Sequence, residues 1–475
     1  MEKSGIMIGW SRGEISPLRK TFVSGQFHSR ITDEVLSPLM ATALALESKI
    51  SDEEEEQAVF LSCDLGGVAS PGFKSEVIEE LDGRCPGLDC SKLTMNATHT
   101  HTAPCLENGW YEEPEDDPDF MKPDEYRGWL VKRLADIVAE AWEARRPGGI
   151  SRGFGYAVIG RCRRAVYSDG SARMYGDTSR ADFVGLESCD DHRVNILFTH
   201  DEDGGLTGMI LNVACPSQCE ESKSVFSADF WHNVRESVKA RYGESVHVLP
   251  QCAPAGDLSP HLMEDHKEEC DLRGRLGLDD KGIIARRIMA AVVEGLETAS
   301  PIEKNVVFIH KVKRYQLPKL MVTEEQYELE KRIHHMSEEE LSLQPFGFNR
   351  VWPFGLVCDL ISRYERQKNE PIFEMDTHVI RIGDMVFATN PFELFVDYGR
   401  RIRNRSKALQ TCLVQLSSSS ENGFYLPTKR AFDGGHYSGL VKSNWVGPDG
   451  GDVLVDKTIK DINSLFKDED YPRTR

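Results

Sequence analysis

The 475-residue chain has no apolar run approaching the roughly 18 residues that a membrane-spanning helix requires. Its richest stretch, Leu39 to Leu46, has the size of a core helix. It is also short of positive charge: 57 Lys and Arg stand against 77 Asp and Glu, a formal net charge of −20. That imbalance excludes nucleic acid and anionic lipid as docking surfaces, because both are repelled over a Debye length. The N-terminus, Met1 to Ser16, lacks the apolar core of a secretory signal, so a cytoplasmic protein without stable membrane association is expected. There is no repeat of fixed period, no low-complexity tract and no Pro/Gly/Ser linker, which excludes a solenoid and leaves one unit over 1–475 as the expected domain. Twelve cysteines in a long chain without a signal favour reduced thiols over a disulfide framework.

What is present is a mixed pattern. Ala58 to Ser62, Leu93 to Ala97, Val194 to Phe198, Leu206 to Val213, Val246 to Leu249, Val306 to Val312, Val379 to Ile382, Met385 to Thr389 and Thr411 to Leu416 read as short strands between turn residues. Hairpins are expected around Asp201 to Gly205 and Gly383-Asp384. The apolar spacing of Leu130, Leu134, Val138, Ala141 and Trp142 predicts a helix over Tyr126 to Arg145; others are expected at Gly282 to Leu296 and, heavily charged, at Glu324 to Glu340. Together these predict an α/β fold of mixed β-sheets with flanking helices. Two acidic blocks carry much of the charge. Asp52 to Glu56 reads as a solvated connector between a helical stretch and a strand. Glu107 to Glu125, with Trp110, Tyr111, Phe120 and Met121 among its carboxylates, reads either as a solvated loop or as a lid over a site.

Chemistry-bearing residues follow the strands. Thr98-His99-Thr100-His101 places two imidazoles two residues apart, which in an extended segment share a face and begin a metal site. Ala214-Cys215-Pro216-Ser217-Gln218-Cys219 offers metal ligands, a redox pair or buried thiols, although the spacing is not that of C-x-x-C. Gly256-Asp257-Leu258-Ser259-Pro260 combines close backbone approach, a carboxylate and a hydroxyl, or is simply a turn. Glu393 in Asn390-Pro391-Phe392-Glu393 and Tyr425 in Tyr425-Leu426-Pro427-Thr428 complete the set, with Gly435-His436-Tyr437 beyond. Strand ends are where α/β sheets assemble sites, so the shared placement matters more than any single motif.

Taken in order, these motifs resemble the neutral, alkaline-active ceramidases, zinc amidases that split the N-acyl bond of ceramide, from Ser62-Cys63-Asp64 to the Tyr437 region. The resemblance is to the catalytic domain alone, and no C-terminal immunoglobulin-like domain is expected. It implies zinc ligands at His99, Glu393 (where the family has a Pro-Gly-Glu-Phe type sequence) and Tyr425. It implies substrate-facing or catalytic roles for His101, Tyr437, Ser259 and, in Arg161-Cys162-Arg163-Arg164, Arg164, which falls where the family has an Asn-Arg-Ser arginine. The family's second histidine ligand lies in Thr-His-Pro. Here Cys215 stands in its place, a legitimate Zn²⁺ ligand of different chemistry.

The function this implies is zinc-dependent hydrolysis of an N-acyl bond by metal-activated water, with His101, Tyr437 and Ser259 as oxyanion donors and Arg164 holding a polar part of the substrate. The acidic segment after His101 favours a soluble, polar small molecule over ceramide. Two alternatives stand beside it: a small-ligand-binding protein with a degenerate or structural metal site, and a Cys215 thiol hydrolase partnered by His99 or His101. The sequence sets no oligomeric state.

Overall fold

The computed structural model describes residues 5–51, 54–114, 117–333, 335–337, 339–340 and 360–467. Eight strands form one sheet: β1 (Ile6–Glu14), β2 (Met40–Ser51), β3 (Glu54–Cys63), β4 (Leu93–Ala97), β5 (Arg146–Tyr156), β6 (Arg193–Asp201), β7 (Leu206–Val213) and β8 (His247–Cys252). Their order is β8-β7-β6-β5-β1-β2-β3-β4, antiparallel except for the parallel pairs β7/β8 and β3/β4. Four more, β9 (Phe308–Pro318), β10 (Ile372–Ile382), β11 (Met385–Thr389) and β12 (Gln410–Val414), form a second sheet in that order, with β11/β12 parallel.

Period-two alternation explains how the sheets stack. Along β2 and β3, Ala41, Ala43, Ala45, Val59 and Leu61 face one way, while Leu44, Leu46, Ala58 and Phe60 face the other. The second set meets the inner face of the small sheet, where Phe308, Ile380, Ile382, Phe387 and Val414 close a shared core. Phe60 and Phe387 meet there edge to face, 5.3 Å between ring centroids. The first set packs against helices α1 (Phe73–Glu80) and α2 (Pro123–Glu143); α3 (Phe230–Tyr242) and α4 (Asp280–Glu297) cover the same face further along. On the far side, α5 (Val396–Arg405) and α6 (Pro448–Asn463) cover the small sheet. The result is a four-layer helix–sheet–sheet–helix stack, and no described helix is long and apolar enough to cross a membrane.

The expected strands, the two hairpins and the Tyr126 and Gly282 helices are all present within a few residues. Leu39 to Leu46 is a strand, not a helix. Its apolar residues are buried on both faces, and a short run of that kind carries no distinguishing period. Asp52 and Glu53 lie outside the described residues, but the rest of that acidic block belongs to the β2–β3 hairpin, with Glu56 bound to Lys92 at 2.7 Å. The Glu324 helix is described over Glu324–Ile333; His334 and Glu338 lie outside. Strand β5 escapes sequence reading because it is rich in glycine. The structure gives the reason: a Cβ at Gly155 would lie 2.8 Å from the Ala291 carbonyl of α4.

One end of the stack gathers the loops. Ala97 donates its N–H to the Leu416 carbonyl (3.2 Å) and Gln415 its N–H to the Cys252 carbonyl (3.0 Å), so the C-terminal ends of β4, β8 and β12 converge there.

Candidate functional site

A cavity of 580 Å³ opens at this end. His99 and His101 enter it just past β4. His99 adopts φ 60°, so the chain turns at that residue and the two imidazoles do not share a strand face. They meet all the same, with Nε2 to Nε2 at 3.3 Å. His99 gives its Nδ1–H to the Gly66 carbonyl at 2.5 Å and turns Nε2 toward Glu393 Oε2 at 3.4 Å. Burial alone lowers the His99 pKa, but the charge and hydrogen bond of Glu393 outweigh it, and the net shift is upward. Glu393 answers in kind: burial works against its charge, His99 and Arg163 favour it, and its pKa ends below the ordinary value.

His101 is held from the loop after β7. Its Nδ1 lies 3.2 Å from Glu221 Oε2, and the Gln218 amide reaches its Nε2 at 2.8 Å. The other Glu221 oxygen meets His261 Nε2 at 2.9 Å. Burial pulls the His101 pKa down, and Glu221 offsets only part of that. The imidazole is therefore neutral near pH 7. Arg30, 5% exposed, ties the loops together through the carbonyls of His101 (2.8 Å), Glu221 (2.7 Å) and Lys223 (2.6 Å).

The opposite wall is cationic and phenolic. Arg163 donates to Tyr175 Oη (2.8 Å), to the Gly256 carbonyl (2.9 Å) and, more loosely, to Tyr425 Oη (3.4 Å), and lies 3.9 Å from Glu393. Burial opposes its charge, but Tyr175, Tyr437, Tyr425 and Glu393 more than compensate, and it stays protonated. Burial likewise raises the Tyr425 and Tyr437 pKa values, which keeps both phenols as donors. A side chain at Gly256 would collide with the Glu393 carbonyl, so glycine there lets the two loops touch. Much of the remaining wall is apolar, Phe27, Val68, Leu106, Met174, Leu416 and Phe424, with Trp110 and Tyr111 from the acidic segment after His101, interrupted by polar groups such as Gln26, Ser70, Glu107, Asn422 and Lys442. The first residues of that segment thus line the cavity, whereas Phe120 and Met121 pack into the core beside it; Glu115 and Asp116 lie outside the described residues.

Of the expected site residues, His99, His101, Glu393, Tyr425 and Tyr437 line this cavity. Three others do not. Cys215 is 1% exposed, with Sγ 3.5 Å from the carbonyls of Ile159 and Pro216, and burial pushes its thiol well above the ordinary value. It packs with Phe230, Trp231 and Val213 against the outer face of the large sheet. Arg164 is fully buried against Glu187 (2.8 and 3.2 Å), Ser438 (2.8 Å) and the carbonyls of Ala431 and Gly435. Alternation at a strand start sends Arg164 into the core and Arg163 to the cavity, a one-residue displacement that spacing does not reveal. Ser259 is fully buried behind Tyr175, whose hydroxyl donates to it at 3.3 Å.

A zinc ion is tested by these donors. His99 Nε2 and Glu393 Oε2 stand as two ligands of one ion would, each with a fixed neighbour behind it. Cys215 faces away, and among the described residues no three His, Cys, Asp or Glu side chains form a group that could hold an ion. The expected set of His99, Cys215, Glu393 and Tyr425 does not fit. Sequence reading missed Arg163, Tyr175, Gln218, Glu221 and Arg30; Gln218 lies within the Cys215 motif and Glu221 two residues past it, and that proximity was the available signal.

No protein-family model and no curated protein matches the sequence. Solved structures match its fold, among them two ceramidases. One, described as a ceramidase complexed with C2, superposes with a TM-score of 0.67 at 15% identity over 97% of this chain and 75% of its own. The other, neutral ceramidase from Pseudomonas aeruginosa, gives 0.67 at 16% identity over 98% and 75%. The chain thus carries a divergent form of the ceramidase-like fold along nearly its whole length.

Proposed function

We propose that this protein hydrolyses an N-acyl bond of a small, soluble molecule. One observation carries the reading: a neutral imidazole, a buried guanidinium and several phenolic donors converge at the floor of one apolar-walled cavity. Two of the structures that share the fold are ceramidases by name, which points to amide cleavage as the reaction class.

In this reading the acyl group lies against Phe27, Trp110 and Met174, and its carbonyl oxygen faces Arg163, Tyr425 and Tyr437. Those donors are already fixed by burial and stabilise the oxyanion as it forms. His101 takes a proton from the attacking water at Nε2 once the Gln218 amide gives way, and Glu221 behind Nδ1 stabilises the imidazolium. His99 and Glu393 form the ion pair that borders the reacting centre. No step is assigned to a metal, because the ligand set does not fit one.

The test is turnover by the purified protein of a panel of N-acyl amines and the matching O-acyl esters, each with and without excess chelator. Amide cleavage that falls at least about 100-fold in His101→Ala supports the reading. The chelator arm shows whether His99 and Glu393 act as a pair or with an ion. Saturable binding of the panel without any product gives the small-ligand-binding alternative instead.

A further inference from the structure

Tyr175 stands apart from the other phenols of the cavity. Its backbone is held at φ 54°, a left-handed conformation that costs an aromatic residue energy and is retained where the surroundings over-determine it. Its own N–H reaches the Arg163 carbonyl at 2.6 Å, so the strained turn is tied to the strand that presents the guanidinium. Its ring faces the cavity. Its oxygen accepts from Arg163 at 2.8 Å, and its hydroxyl donates to Ser259 Oγ at 3.3 Å. Ser259 Oγ also accepts the His261 backbone N–H at 3.1 Å.

Burial raises the Tyr175 pKa, as it does for the other phenols, and these two partners are the groups that counter it by favouring the phenolate. Arg163 supplies a fixed positive charge beside the oxygen. Ser259 has a rotatable hydroxyl that becomes a donor to that oxygen when Tyr175 no longer donates to it. The same contacts seal Ser259 from the cavity, so its hydroxyl meets substrate through Tyr175 and not directly.

We propose that Tyr175 is the catalytic acid that protonates the departing nitrogen, with Ser259 as the positioning hydroxyl behind it. The inference rests on the N-acyl hydrolase reading. As the tetrahedral intermediate collapses, the C–N bond breaks with its electron pair going to nitrogen. The Tyr175 O–H bond breaks and a new N–H bond forms, so that a neutral amine leaves. The phenolate recovers a proton from the His101 imidazolium, which took it from the attacking water, and the cycle balances without a further reactant.

The test uses leaving groups of opposite need. An alkylamide must be protonated to leave, whereas the para-nitrophenyl ester of the same acyl group departs as a stable anion. Tyr175→Phe is expected to lower kcat on the amide about 100-fold or more while leaving the ester within about threefold, with KM little changed on both. Ser259→Ala is expected to show a smaller loss with the same preference for the amide. Thermal unfolding of both variants checks that they fold. Equal losses on amide and ester, or no loss on either, overturn the assignment while the hydrolase reading stands. A wild-type protein that cleaves neither compound overturns both.

Discussion

Among the described residues two pairs of histidines face each other, and they have opposite characters. His99 and His101 meet at the cavity floor with a carboxylate behind each, Glu393 and Glu221. His310 and His378 meet beside the buried core between the sheets: His310 Nδ1 binds the Gln57 carbonyl (2.8 Å), its Nε2 meets His378 Nδ1 (2.8 Å), and His378 Nε2 meets Lys74 Nζ (3.1 Å). Burial penalises the imidazolium in both places. At the cavity the carboxylates counter it and hold His99 above its ordinary value. Between the sheets nothing comparable does: burial, with Lys92 and Lys74 adding to it, takes His310 down to about 3, and burial, Lys74 and His310 hold His378 well below its ordinary value. Neighbouring charge, not residue type, separates the two pairs.

Substitutions separate the two. His101→Ala is expected to cut turnover by about 10²–10⁴-fold with a shift in urea-unfolding stability under about 1 kcal/mol. His310→Ala is expected to do the reverse, costing about 2–4 kcal/mol by leaving a void and unpaired groups at Gln57 and His378, with turnover per folded molecule unchanged. If both variants lose turnover alike, the contrast is broken.

Acid is the next probe. His310 has a folded-state pKa far below its ordinary 6.5, so the unfolded chain binds the proton first as pH falls. The pair's contribution is fully present above pH 6.5 and is lost on the way toward pH 3, at no more than about 1.4 kcal/mol per pH unit for each group. Urea midpoints between pH 7 and pH 4 are expected to fall more steeply in the wild type than in His310→Gln. Equal slopes remove the sealed pair as the cause.

The smallest effect concerns Lys74, which burial lowers from 10.5 to about 8. Between those values the unfolded chain binds the extra proton, so stability rises with pH across the window. Lys74→Met is expected to abolish that rise and to change stability at pH 7 by about 1 kcal/mol or less. An unchanged alkaline slope shows that Lys74 is not strained by its place beside His378.

Much of the fold was legible along the chain. The strands carry β-branched and aromatic residues between turn signals, and the Tyr126 helix shows its period, because those patterns are local. Strand β2 was not legible, since burial on both faces erases its alternation, nor was β5, whose glycines report on α4 and not on their own strand. The site divides in the same way. His99, His101, Glu393 and Tyr425 come after strands in sequence and, with Tyr437, line the cavity in space.

By itself, then, the sequence determined most of the element types and the nearness of the histidine motif to a strand end and to an acidic segment, all properties of neighbouring residues. Tertiary structure alone decided that Cys215 turns to the core, that Arg163 and not Arg164 faces the cavity, and that Tyr175 stands before Ser259. Each of those outcomes depends on a direction fixed by one φ angle or one step of strand register, and on partners between 12 and about 270 residues away, which no local pattern encodes.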